Sequence, residues 1–281
     1  MHRSLVWYVW QALEWRRYGV LATGAGAQAW WVAQAYGEPK GTWQLALAIA
    51  LATLGAYQWV HALLAIGDPR GRGHALMAAV CLLFPSLMLL LPWWSALLSV
   101  VPWAFVPFAA YAFPLRQGRG GLRAVPGMKV LLVVWCWIAL VVVLPMRAMA
   151  GEHVMSALAS WLPVQLPLFT GVALLSDLRD RSSDPSTLRT WPQVLGEGWT
   201  RLLVVLLFLY VGLIVVLRGY FGYAAYVDGT VPWPEVLVAA GCLFAVGLAV
   251  AARITRPGWY FSVLVDGLLL VLPLLYAIGA M

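Results

Sequence analysis

HALMAAVCLLFPSLMLLLPWWSALLSVVPWAFVPFAAYAF, residues 74–113, contains no acid, lysine or arginine. A helix needs about 20 mostly apolar residues to cross the hydrocarbon core of a bilayer. This stretch is too long for one crossing and long enough for two, with Pro92-Trp93-Trp94-Ser95 as the turn. Its division decides the fold, because similar runs recur along the chain. The expected spans are 18–36, 43–66, 74–92, 94–113, 128–149, 154–176, 201–217, 234–252 and 259–280. The reading is an all-α integral membrane protein with nine transmembrane helices and one domain, 1–281.

Charge tests that division. Cytoplasmic loops of membrane proteins carry an excess of Lys and Arg. With nine spans, only Lys40, Arg147 and Arg218 of the 18 basic residues fall on one side; the rest, from Arg3 to Arg256, fall on the other. Treating 74–113 as a single span scatters the basic loops over both sides. The N-terminus is therefore expected in the cytoplasm and the C-terminus outside, in a bacterial plasma membrane.

Composition agrees. The chain is 63% hydrophobic and 10% charged, against roughly a quarter charged in soluble domains. The net charge of +7 points to anionic lipid rather than nucleic acid, because the charges lie in loops between spans. Cys81, Cys136 and Cys242 sit in apolar runs without ligand spacing and read as small buried hydrophobes. Residues 3–17 are too broken by charge for a cleaved signal peptide. They read as a short interfacial helix, with Trp7, Trp10 and Trp15 near the headgroups and Arg16 and Arg17 among them.

The chemistry concentrates in SDLRDRSSDPSTLRTWPQVLG, residues 176–196. Asp177, Asp180 and Asp184 are spaced i, i+3, i+7 and share one face of a helix. Three carboxylates on one face repel one another. A divalent cation relieves that repulsion, and Mg²⁺ held by carboxylates completes its shell with phosphate oxygens. The competing reading is a solvated acidic turn neutralised by Arg179, Arg181 and Arg189. A further acid, Asp266, lies inside the last span, about 10 Å from its start. Such a residue faces a cavity or a partner, or is a structural Asp held protonated or by a Tyr. Gln165 in span six is a similar, weaker case.

DLRDxxxD followed by Thr190-x-Pro192 and Leu195-Gly196 resembles the second aspartate-rich motif of the UbiA superfamily of intramembrane prenyltransferases. The loop YAFPLRQGRGGLRAVPGMK, residues 111–129, is similar to that family's Tyr and Lys-Arg signature at Tyr111 and Arg116, with Leu115 where the Lys would stand. The resemblance implies nine helices in a ring around a central cavity. It also implies transfer of an isoprenyl group from a prenyl diphosphate to a lipid-soluble, aromatic acceptor, with Mg²⁺ on Asp177, Asp180 and Asp184. The chemistry is sound: cations stabilise a diphosphate leaving group, and aromatic faces stabilise the allylic cation left behind.

The family's first aspartate motif is missing. At the end of span two, AYQWVHALLAIGDPRGRGH, residues 56–74, offers Gln58 and His61 where Asn and Asp would stand, and a single acid, Asp68. Either His61, Asp68 and His74 make a substitute metal or phosphate site, with Arg70 and Arg72 on the diphosphate, or the first site is gone and the chain binds one metal or none. His61 is otherwise an interface residue, Asp68-Pro69 an ordinary turn, and Arg70 and Arg72 topology signals.

Two other readings follow from the same residues. One is a catalytically degenerate UbiA-like membrane protein that binds a lipid, quinone or partner protein. The other is a transporter using Asp266, which calls for paired broken helices in the two halves that the sequence does not display. The only lysines, Lys40 and Lys129, lie at loop edges, which excludes a retinal Schiff base. The topology is checked with reporter tags: the N-terminus and the 178–200 loop should report cytoplasm, and a tag after Met281 the opposite face.

Overall fold

The computed structural model of the protein describes residues 15–36, 39–64, 69–112, 125, 127–181, 190–224 and 232–281. The expected interfacial helix lies largely outside the described residues, as do Asp68, Arg116 and Asp184. His61, Arg70 and Tyr111 are described only as helical backbone.

Every regular element among the described residues is helical. They are α1 (Trp15–Gln34), α2 (Pro39–Leu64), α3 (Pro69–Leu90), α4 (Trp94–Ala112), α5 (Met128–Trp137), α6 (Leu144–Met149), α7 (Val154–Asp180), α8 (Trp191–Leu195), α9 (Glu197–Ala224), α10 (Trp233–Ala251) and α11 (Leu268–Gly279). Helix covers the described part of each expected span to within a residue or two. Among the described residues, seven helices are long and apolar enough to cross a membrane; one of them is the unbroken run Arg72–Pro107, 36 residues, in which a 3-10 turn at Leu91–Trp93 joins α3 to α4. Helices suit this setting because each backbone N–H is satisfied within its own segment.

Consecutive helices pack in chain order. α1 lies on α2 and α2 on α3; α4 lies on α5, α5 on α7, α7 on α9, α9 on α10 and α10 on α11. α11 returns against α1, while α3 and α4 meet chiefly through the 3-10 turn between them. α1 also reaches across to α6, where Val32, Leu144 and Met146 are buried.

Small residues and buried side-chain hydrogen bonds set the spacing, since apolar burial gives no drive between helices in lipid. A Cβ on Gly26 would stand 2.7 Å from the Ala46 carbonyl oxygen, and one on Gly24 2.8 Å from Leu269 Cβ. Ser86 Oγ donates to Ala48 O at 2.8 Å, and Gln44 Nε2 to Leu89 O at 2.8 Å. These two bonds run α2 and α3 antiparallel. Trp135 Nε1 donates to Trp103 O at 2.9 Å and ties α5 to α4.

Two longer stretches also depart from α geometry. Ile138–Val143, between α5 and α6, and Tyr260–Val265, before α11, are π-helical. The second ends at Asp266, whose N–H bonds the Phe261 carbonyl five residues back. Single π turns cluster at functional positions.

The close approach at Gly26 generates a test. Gly26→Ala should cost about 1–3 kcal/mol because the clash is with backbone. Gly198, with nothing within 4 Å, should gain roughly 0.5–1 kcal/mol on Gly198→Ala. Thermal unfolding of the two variants in detergent checks the opposite signs.

Candidate functional site

The charged residues meet at one end of the helix bundle. α7 runs to Asp180, with Arg181 as its cap, so its last turn carries two of the three spaced aspartates. Asp184 lies outside the described residues. The early end follows from Ser182-Ser183-Asp184-Pro185: Ser and Asp favour turns over helix interiors, and the residue before Pro avoids the α region. Two carboxylates thus sit at the negative end of a helix dipole, where cations are preferred.

The cations come from two places. Lys129 Nζ, on the first turn of α5, lies 2.9 Å from Asp177 Oδ1 and 3.9 Å from Asp180 Oδ2. Arg179 Nε donates to Asp180 Oδ1 at 2.8 Å, and its Nη2 to Asp180 Oδ2 at 3.3 Å. Its Nη1 lies 3.9 Å from Asp266 Oδ2, and Ser176 Oγ reaches Asp266 Oδ1 at 3.4 Å. Asp177 and Asp266 are buried. Tyr18 of α1 stacks on Tyr57 of α2, ring centroids 4.7 Å apart. The Tyr18 hydroxyl also interacts electrostatically with Arg179. The end of α2, the start of α1 and the end of α7 therefore meet on one side.

The Thr-x-Pro–Leu-Gly segment explains why Lys129 stands where it does. Gln193 Oε1 accepts the Thr190 N–H at 3.0 Å, Pro192 starts the short α8, and Gly196, at φ +83°, ends it. α8 directs Trp191 onto Gly127, whose carbonyl accepts the indole N–H at 3.3 Å. Gly127 adopts φ +77°, and a Cβ there would stand 2.7 Å from that indole nitrogen. Only glycine suits both demands, so Trp191 and Gly127 together pin the start of α5 and the stem of Lys129.

Of the remaining sequence candidates, Gln58 is buried beside Tyr57, and neither amide atom has a hydrogen-bond partner among the described residues. Arg72 and His74 are exposed on the first turns of α3, and no ion pair joins Arg72 to the aspartates among the described residues. Lys129 is the site residue that sequence reasoning missed. It was visible as a lysine two residues after Gly127, on the same predicted membrane side as the aspartates, but it read as a loop edge. Three further polar groups lie deeper. Gln28 donates to Leu269 O at 3.0 Å, Trp31 packs edge-on against Trp161 at 5.2 Å, and Gln165 is fully buried with no amide partner among the described residues.

Among the described residues, no group of three His, Cys, Asp or Glu side chains converges as a metal site. Asp177 and Asp180 nonetheless face one cation, the Lys129 ammonium, at 2.9 Å and 3.9 Å. The pair fits a single divalent ion and would supply two of its about six oxygen ligands.

No family model, curated protein or solved structure matches the chain.

The Arg179 arrangement is testable by a double-mutant cycle. Arg179→Met leaves Asp180 and buried Asp266 short of a cation and should cost about 3 kcal/mol, as when one partner of a buried pair is removed. Adding Asp266→Asn to that variant should restore roughly 1 kcal/mol, although the same change in the wild type does not stabilise. Thermal unfolding of the four proteins measures the coupling.

Proposed function

We propose that the chain is a UbiA-like membrane transferase that binds an isoprenyl diphosphate at its charged end and passes the isoprenyl group to a lipid-soluble, aromatic acceptor. The observation that carries this reading is the meeting of Asp177 and Asp180 with Lys129 and Arg179 where α1, α2, α5 and α7 come together. A diphosphate site needs carboxylates to hold a metal and fixed cations to hold phosphate oxygens, and both kinds of group are present.

The nine-span topology belongs to the same reading, with the charged end in the cytoplasm. Its support is the direction of the helices. α3 runs antiparallel to α2, and the Trp135–Trp103 bond sets α5 beside α4. A Cβ on Gly41, at the start of α2, would lie 3.4 Å from Met149, at the end of α6, and 3.5 Å from Trp93. This favours a reversal at Leu91–Trp93 and two crossings in the 36-residue run.

In the reaction, the bond between C1 of the isoprenyl chain and the diphosphate oxygen breaks, and the diphosphate leaves with the electron pair. A nucleophilic carbon or oxygen of the acceptor bonds to C1, and the acceptor loses one proton. Lys129 and Arg179 offset the charge that builds on the leaving oxygen. Mg²⁺, held by Asp177 and Asp180, would supply further charge neutralisation there. Asp266, held by Ser176 and Arg179, keeps Arg179 aimed across the site.

The second reading, a degenerate member that holds a lipid, quinone or partner protein without transfer, draws on Gln58. A neutral amide occupies a position where the family's first motif would place a ligand. One assay separates the two. Purified protein is incubated with labelled prenyl diphosphates and a membrane-lipid extract, with and without Mg²⁺, and the lipids are extracted. Transfer of label, lowered at least 100-fold by Asp177→Asn, is expected for the enzyme. Label that stays on the diphosphate with every chain length, in a folded protein, removes the enzyme reading.

A further inference from the structure

We propose that Lys129 is a placeholder cation: its ammonium occupies the point between Asp177 and Asp180 until a diphosphate arrives, then moves to the phosphate oxygens and yields that point to a divalent metal. The diphosphate half of this statement rests on the function proposed above. The placeholder half rests on Lys129 and the two aspartates alone.

The first observation is where the ammonium stands. Lys129 Nζ is 2.9 Å from Asp177 and 3.9 Å from Asp180, with side-chain exposures of 14%, 4% and 20%. A carboxylate-bound Mg²⁺ lies about 2.0–2.1 Å from its oxygens. An ion bridging these two aspartates would therefore sit within a few ångströms of the ammonium. Two positive centres so close inside a mostly buried site repel strongly. Metal and ammonium cannot both hold this point, and the metal can take it only when the ammonium has another anion to face.

The second observation is that the lysine can change partners while its backbone stays fixed. Gly127, at φ +77°, and the Trp191 indole lodged on it hold the start of α5. The four-carbon stem beyond is flexible and ends in three N–H donors. Swinging from carboxylate to phosphate therefore needs only rotamer changes.

The third observation is the charge balance. Asp180 is already clasped by Arg179 at 2.8 Å. A diphosphate brought against these aspartates without a metal meets like charge; a metal brought without a diphosphate meets Lys129. Either ligand alone is disfavoured and the two together are favoured, which is positive coupling by thermodynamic linkage.

The test uses the full-length chain in detergent, with Mn²⁺ as metal probe, followed by its electron paramagnetic resonance, and inorganic pyrophosphate as anion probe. Wild type should bind Mn²⁺ weakly alone and roughly tenfold or more tightly with pyrophosphate. Lys129→Met should bind Mn²⁺ alone about tenfold more tightly than wild type, with the pyrophosphate enhancement reduced to about twofold. Lys129→Arg should behave as wild type. A Lys129→Met protein with unchanged Mn²⁺ affinity, or with its coupling intact, overturns the proposal. If Lys129→Met does not fold, wild type decides: strong Mn²⁺ binding without pyrophosphate overturns the proposal, and weak binding raised by pyrophosphate supports it. Because the readout is metal occupancy, it stands apart from turnover. Coupling without prenyl transfer would remove the enzyme reading and keep the placeholder, whereas transfer with an uncoupled metal would do the reverse.

Discussion

A charge that enters a bundle of apolar helices must bring its counter-charge with it, and the rest of this structure depends on how that is done at Asp177. The residue sits in the last turn of α7, buried, at the end of a helix whose dipole already disfavours an anion. Its cation comes from α5, more than forty residues earlier in the chain. Lys129 therefore ties two helices together, Arg179 reaches on to Asp266 before α11, and Ser176 holds the far side of that carboxylate. Each link makes its neighbour tolerable in a low-dielectric setting. Removing one leaves a charge that water cannot reach, which costs more than the pair contributes.

Apolar run length carried most of the fold into the sequence. The helices follow the expected spans because backbone hydrogen bonding in lipid leaves few alternatives and because charged or Pro-rich loops punctuate the runs. Less legible was where a helix stops. Period alone extends α7 to Asp184; its end at Asp180 reflects the turn preference of Ser182-Ser183-Asp184-Pro185, which outweighs the repeat. Pro92-Trp93-Trp94-Ser95 was readable as a break, and it is a 3-10 turn within one helical run.

The site was half legible. Spacing picked out Asp177 and Asp180, and depth within the last span picked out Asp266. Lys129 was not picked out, because a lysine at the mouth of a span counts equally as topology signal and as ligand, and only the tertiary partner tells them apart. Thr190, Pro192, Leu195 and Gly196 were visible as a motif, but their effect is indirect: they shape α8 so that Trp191 meets Gly127. No local pattern in 190–196 points to a residue more than sixty positions earlier.

The π turn at Tyr260–Val265 has a consequence for how this segment tolerates change. A π turn holds one more residue than the α turn it replaces, and each residue in an α-helix advances the side-chain direction by about 100°. The register of everything before the bulge is therefore offset from everything after it. Tyr260, at its start, donates to the Leu248 carbonyl, while Leu269 and Tyr276, beyond it, meet Gln28 and Trp31 of α1. A single-residue deletion within 260–265 would relax the bulge and keep the helix, but would bring only one of those two faces into place. Length is therefore constrained here as well as side-chain identity, since Tyr260, Phe261 and Val265 are themselves buried.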